Sequence, residues 1–170
     1  VDAPEAFDAN SLLMMGALAR SCGMAGALEA MLDISVTYSQ DRVAFERPIS
    51  KFQAVQHNLA RLAGEVAAAV CAAASAADAL QRAGTFDDDV FFEIAAAKIR
   101  VGEAAGEGAG IAHQVHGAIG FTMEHILQRY SRRVWSWRDE FGSESAWAVR
   151  LGEAVAANGG DELWASLAAR

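Results

Sequence analysis

At 170 residues the chain has the length of one domain with a single substantial core. Its 22 acidic against 14 basic side chains leave a net charge of −8, which argues against a phosphate-backbone binder, so nucleic acid is not an expected partner. With 53% apolar residues, 21% charged and only 2 prolines, the composition is globular rather than disordered.

Cys22 and Cys71 stand too far apart for a zinc knuckle or a redox pair, and fit a reducing, cytoplasmic setting. No charge-free apolar run of about 18 residues occurs, so no membrane span is expected. The nearest stretch, 66–77, is short and mostly alanine. The opening residues lack the layout of a secretory signal, and 1–8 reads as a linker from a preceding domain.

Alanine exceeds a fifth of the chain, which favours long helices. Asn10 or Ser11 can cap a first helix running to about Tyr38, and Pro48 can open a second. In the second, Phe52, Val55, Leu59, Leu62, Val66 and Val70 recur at helical steps, ending near Gly84. Thr85 can cap a third helix, with Asp87, Asp88 and Asp89 in its first turn facing the positive end of the helix dipole. Gly102, Gly106, Gly108 and Gly110 lie in that helix, where each glycine costs up to about 1 kcal/mol relative to alanine. A flat face against another helix is the expected compensation.

The Gly117–Gly120 stretch interrupts the pattern, and Thr122 with Glu124 starts a fourth helix bearing Met123, Leu127, Tyr130, Val134 and Trp137 on one face. Ser143 can cap a further helix that Asn158-Gly159-Gly160 would stop, leaving a short helical tail over 159–170. No strand is expected. The reading is an all-α, up-and-down four-helix bundle over residues 9–158.

Such bundles can carry metals, but Glu-x-x-His is absent and His113 with His116 lack a carboxylate partner at metal-site spacing. His57 and His125 read as polar-face or interface residues. There is no Gly-x-Ser-x-Gly elbow and no Gly-x-x-x-x-Gly-Lys phosphate loop.

Two segments carry a more specific signal. The run Tyr38-Ser-Gln-Asp-Arg42-Val-Ala-Phe45-Glu-Arg-Pro48-Ile49-Ser-Lys-Phe52-Gln53 resembles the first signature of the acyl-CoA dehydrogenase C-terminal domain. Gln114-Val-His116-Gly117-Ala118-Ile119-Gly120-Phe121-Thr-Met-Glu124 resembles the second, and the similarity extends from about Ala9 to Leu151.

The resemblance implies FAD as cofactor and an acyl-CoA thioester as substrate. It implies Arg42 near the cofactor's pyrophosphate, Phe45 near its adenine end and Gln53 as a further polar contact. Gln114 and the glycine turn at Gly117 would complete the site across an oligomer interface, and Ser143 falls on a threonine counted with the cofactor contacts. A homo- or hetero-oligomer with a related subunit, and an electron-transfer acceptor, are implied partners. The expected activity is α,β-desaturation by the full-length enzyme, the fragment alone being inactive.

Several positions depart from the family's pattern. Glu46 and Ala118 replace glycines. Phe141 falls where the family's proton-abstracting glutamate stands, and Gly16 occupies the alternative position of that base on the first helix. The resemblance therefore implies a second reading, a non-catalytic partner subunit of a mixed tetramer.

Overall fold

A computed structural model describes residues 8–168. Helix α1 (Ala9–Asp41) is followed by a hairpin of two-residue strands, β1 (Val43–Ala44) and β2 (Arg47–Pro48), and a 3-10 turn at Ile49–Lys51. Helices α2 (Gln53–Ala83) and α3 (Asp88–His116) follow, then a 3-10 turn at Gly117–Phe121, α4 (Leu127–Asp139), α5 (Glu144–Asn158), a 3-10 turn at Gly160–Glu162 and α6 (Leu163–Ala168). Apart from Asp8, the expected linker lies outside the described residues.

The caps explain where the helices begin. Asp8, not Asn10 or Ser11, caps α1: its carboxylate accepts from the Ser11 amide at 2.7 Å and the Ser11 hydroxyl at 2.9 Å. The amide bond chiefly holds the Asp8 carboxyl below its usual range. Asp87, not Thr85, caps α3, leaving Asp88 and Asp89 in the first turn. Gly84 ends α2 in the left-handed conformation, as expected.

Pro48 does not open α2. It sits in β2, where a proline needs no ladder N–H, and α2 starts at Gln53 with Phe52 as its cap. The unforeseen hairpin turns through Phe45 at φ 52° and Glu46 at φ 66°. Both central residues are left-handed, as the strand twist of a two-residue hairpin demands, but neither is glycine. The Thr122–Ile126 stretch likewise does not start α4. Met123 is exposed there, and the buried stripe of α4 is Leu127, Ser131 and Val134.

Two continuous apolar clusters make up the core. One joins Met24, Leu28 and Met31 of α1 to Leu62 and Val66 of α2, Val101 and Ile111 of α3, and Leu127 and Val134 of α4. The other joins Met14 and Leu18 of α1 to Val90 and Ile94 of α3 and Trp147 of α5. The fourth column of the bundle is thus shared: α4 fills one end and α5 the other, both against α3. The expected flat glycine face holds only in part. Gly108 faces Leu28 and Leu62, while Gly102 and Gly106 face Glu144 and Arg138 of the column's break.

By length and composition α1 and α2 would each pass for a membrane span. The α1 window is mostly inside the core, whereas the α2 window is largely uncovered and owes its hydropathy to alanine.

Candidate functional site

The cofactor-contact residues inferred from the sequence fall into three places. Arg42, Phe45 and Gln53 gather around the hairpin. Phe45 is 90% exposed at its tip, and its ring meets Phe52 edge-on at 6.2 Å. Arg47 lies over the other aromatic, 4.2 Å from the Phe52 centroid. Arg42 closes the hairpin with its backbone, its carbonyl accepting from Ile49 N–H at 2.8 Å. Its side chain is exposed and has no carboxylate partner among the described residues. Gln53 is the exposed first residue of α2.

Gln114 and Gly117 line a groove of about 420 Å³ at the C-terminal end of α3, with His113, Ala118, Phe121 and Trp135. Gly117 has φ 66°, and a Cβ there would meet nothing within 4 Å, so backbone and open space adjoin. His113 stacks on Phe121 at 4.0 Å and on Trp135 at 5.6 Å, and its Nε2 lies 2.8 Å from Ser131 Oγ. The groove and the hairpin share one end of the bundle. Tyr38, four residues before Arg42, stacks on His116 at 4.4 Å and donates its hydroxyl to the His116 carbonyl at 3.4 Å.

His125 turns towards this contact, 4.7 Å from the His116 ring, with Nδ1 accepting from Leu127 N–H at 3.1 Å. It is part of the packing rather than of a polar face. Burial pushes the imidazoles of His113 and His116 down from 6.5. His113 Nδ1 and His116 Nε2 are buried without a hydrogen-bond partner.

Ser143 stands apart from both groups, at the break between α4 and α5. Its Oγ accepts from the Ala146 amide at 3.3 Å as the α5 cap, leaving its own O–H to donate elsewhere. Phe141 and Gly142 precede it at φ 56° and 92°. The Trp147 indole N–H donates to the Phe141 carbonyl at 2.9 Å, and a Cβ on Gly142 would lie 2.9 Å from that same nitrogen. Only glycine fits at 142.

Around this break the charged groups come from four helices. Arg138 and Glu144 join the end of α4 to the start of α5, with Nε 2.9 Å from both carboxylate oxygens. Hydrogen bonding to Arg138 holds the Glu144 carboxyl below its usual range. Arg20 of α1 donates to Glu140 at 2.6 Å. Lys98 of α3, fully buried, donates Nζ to the carbonyls of Trp137 at 2.9 Å and Arg138 at 3.0 Å, satisfying two acceptors left open at the end of α4. Desolvation pulls its pKa from 10.5 to about 8, against the opposing pull of Glu144, Asp139 and Glu140.

Sequence reading overlooked Lys98. Its signal is its place at four residues from Ile94 and three from Val101, on the buried face of α3.

The Phe141 ring rests on Gly16. A Cβ built on Gly16 would fall 2.2 Å from the ring's Cδ1, inside any real contact. The two positions that the resemblance matched to the alternative proton-abstracting glutamates are therefore neighbours in space, and a hydrocarbon contact joins them.

The free donors suit a dinucleotide. A guanidinium at Arg42 without a carboxylate partner among the described residues, an exposed amide at Gln114 and an open backbone at Gly117 would be able to contact phosphate and hydroxyl groups.

The family model described as acyl-CoA dehydrogenase, C-terminal domain, matches residues 8–145. Acyl-CoA dehydrogenase IpdE2 of Mycolicibacterium smegmatis is 35% identical over 127 residues, which is 75% of this chain and 38% of that protein. The structure of butyryl-CoA dehydrogenase from Megasphaera elsdenii superposes with a TM-score of 0.77 at 26% identity, over 84% of this chain and 36% of the other. The ChsE4-ChsE5 complex from Mycobacterium tuberculosis superposes at 0.71 and 27% identity, over 85% of this chain and 38% of the other. The chain thus spans little more than a third of these relatives. It belongs to the acyl-CoA dehydrogenase family, as the helical C-terminal domain.

Proposed function

We propose that this chain is the C-terminal bundle of a flavin-dependent enzyme that desaturates an acyl-CoA thioester between its α and β carbons. The observation that carries the reading is the pairing of the two signature segments at one end of the bundle, the Arg42 hairpin and the Gln114–Gly117 groove, bridged by Tyr38 and His116. Bound flavin would supply a hydride acceptor for the β-hydrogen. Arg42 would neutralise pyrophosphate charge, Phe45 would cover an apolar ring, and Gln53, Gln114 and the Ser143 hydroxyl would donate hydrogen bonds. Gly117 would let the main chain approach. Oligomerisation, an electron-transfer acceptor and a cytoplasmic setting belong to the same reading; Cys22 and Cys71, both free, fit the last.

The test is flavin retention by the intact polypeptide and by its Arg42→Ala variant. Yellow wild-type protein and at least tenfold weaker retention in the variant are expected, with desaturation of an acyl-CoA in the presence of an electron-accepting dye. Colourless wild-type protein that stays so on adding FAD overturns the proposal.

A second reading has its own support in the Phe141–Gly16 contact. Abstraction of an α-proton needs a carboxylate held in a desolvated pocket, and neither matched position has one. In this reading the chain is the structural half of a mixed assembly, and a related subunit carries the base. Activity that appears only when a companion chain is added favours it; full activity of the chain's own homo-oligomer excludes it.

A further inference from the structure

The outward side of α4 carries charge that nothing nearby answers. Arg129, Arg132 and Arg133 stand at i, i+3 and i+4, so the three share one face of the helix. All are exposed, and none has a carboxylate at ion-pair distance among the described residues. Arg20, Arg61, Arg82, Arg100 and Arg138, by contrast, are each paired with Glu or Asp. In a chain of net charge −8 such a triad does not follow from composition. Three like charges within about one turn repel one another unless an anion lies among them.

The same three arginines line a groove of about 410 Å³ with Met123, Ser136 and Trp137. Guanidinium forks match phosphate oxygens in a way that a single ammonium does not, and three of them suit a group with several negative charges better than a lone carboxylate. The exposed Met123 thioether and the half-buried Trp137 indole, over which Arg20 also lies at 5.2 Å, supply apolar surface for a ring, while the Ser136 hydroxyl is donated to Glu140 at 3.3 Å and can only accept from a ligand. The geometry points to this groove as a binding site for an adenosine pyrophosphate group, presented by coenzyme A or by a flavin dinucleotide. It is separate from the Gln114–Gly117 groove, which shares none of its lining residues. The inference deepens the proposed function and rests on it for the choice of those two ligands.

The purified chain would be titrated with coenzyme A, FAD and inorganic pyrophosphate at low salt, followed by tryptophan fluorescence and calorimetry. Saturable binding of at least one nucleotide is expected, at least tenfold tighter than pyrophosphate and weakening as salt rises. The double variant R132A/R133A, at exposed positions, should keep the helical signal and lose at least tenfold in affinity for the bound nucleotide, and for coenzyme A this loss is not reproduced by Arg42→Ala. Preference for coenzyme A or for FAD identifies the source of the group.

The proposal is overturned by an absence of saturation, by pyrophosphate binding as tightly as the nucleotides, or by affinity that survives R132A/R133A. Salt-sensitive self-association abolished by that variant, without ligand binding, would make the face a contact between copies and overturn it too. Groove binding that persists while Arg42→Ala leaves flavin retention intact would separate the two proposals: the Arg42 reading fails and the groove stands.

Discussion

Phe141 and Gly16 are fitted to each other: the Phe141 ring fills the space in which any larger residue at 16 would place its Cβ. Gly16→Ala should therefore cost about 1–3 kcal/mol, because the ring must move or the helices must part. Phe141→Ala made together with it should recover part of that loss, with an interaction energy of about 1 kcal/mol or more between the sites. Urea unfolding of the two single variants and the double variant measures it; simple additivity would contradict the contact.

Lys98 gives the fold an alkaline signature. Its pKa in the folded chain is about 8 against an ordinary 10.5. Between those values the unfolded chain holds more protons, so stability rises with pH across the window, while below it the cost of the buried cation is present in full. The expected gain is on the order of 1–3 kcal/mol. Comparing unfolding free energies at pH 7.5 and pH 10 for wild type and Lys98→Met tests it: only wild type should gain, and equal slopes would refute the assignment.

The two buried imidazoles act on the acid side. Burial holds His113 and His116 below 6.5, so as pH falls below that value the unfolded chain takes up protons first and the folded chain loses stability. A lower melting temperature at pH 5.5 than at pH 7 is expected. Replacing His116 with Phe should shrink the difference, and an unchanged difference would place the titration elsewhere.

Glu46 holds a left-handed backbone that costs a residue with a Cβ about 1–2 kcal/mol. Glu46→Gly should steady the hairpin by roughly 0.5–1 kcal/mol after the added freedom of the unfolded chain is counted. Slower exchange of the Ile49 amide, which is bonded to the Arg42 carbonyl at 2.8 Å, is the local readout. Faster exchange would mean that the Glu46 side chain steadies the turn.

What the sequence discloses follows from how local each signal is. Alanine content, the Gly84 stop and the Ser143 cap are short-range effects, so the long helices and several ends were legible. The hairpin was not, because its strands have two residues each and its turn lacks the glycine or asparagine that announces one. Met123 does not share a helix face with Leu127, because the 3.6-residue period does not extend through a segment that is turn, not helix. At the site, the paired signatures supply the hairpin and groove residues as candidates, but Phe141 against Gly16 joins residues far apart in the chain. No local pattern encodes that.

The break in the fourth column has its supports elsewhere: Lys98 grips it from α3, Arg20 from α1 and Trp147 from beyond the turn. Residue 141, itself 39% exposed, accordingly stands on supports that it does not build. Exchanging phenylalanine for an acid there would leave the surrounding grip in place, so gain or loss of a proton acceptor at this point is open to single-step change within an otherwise constant scaffold.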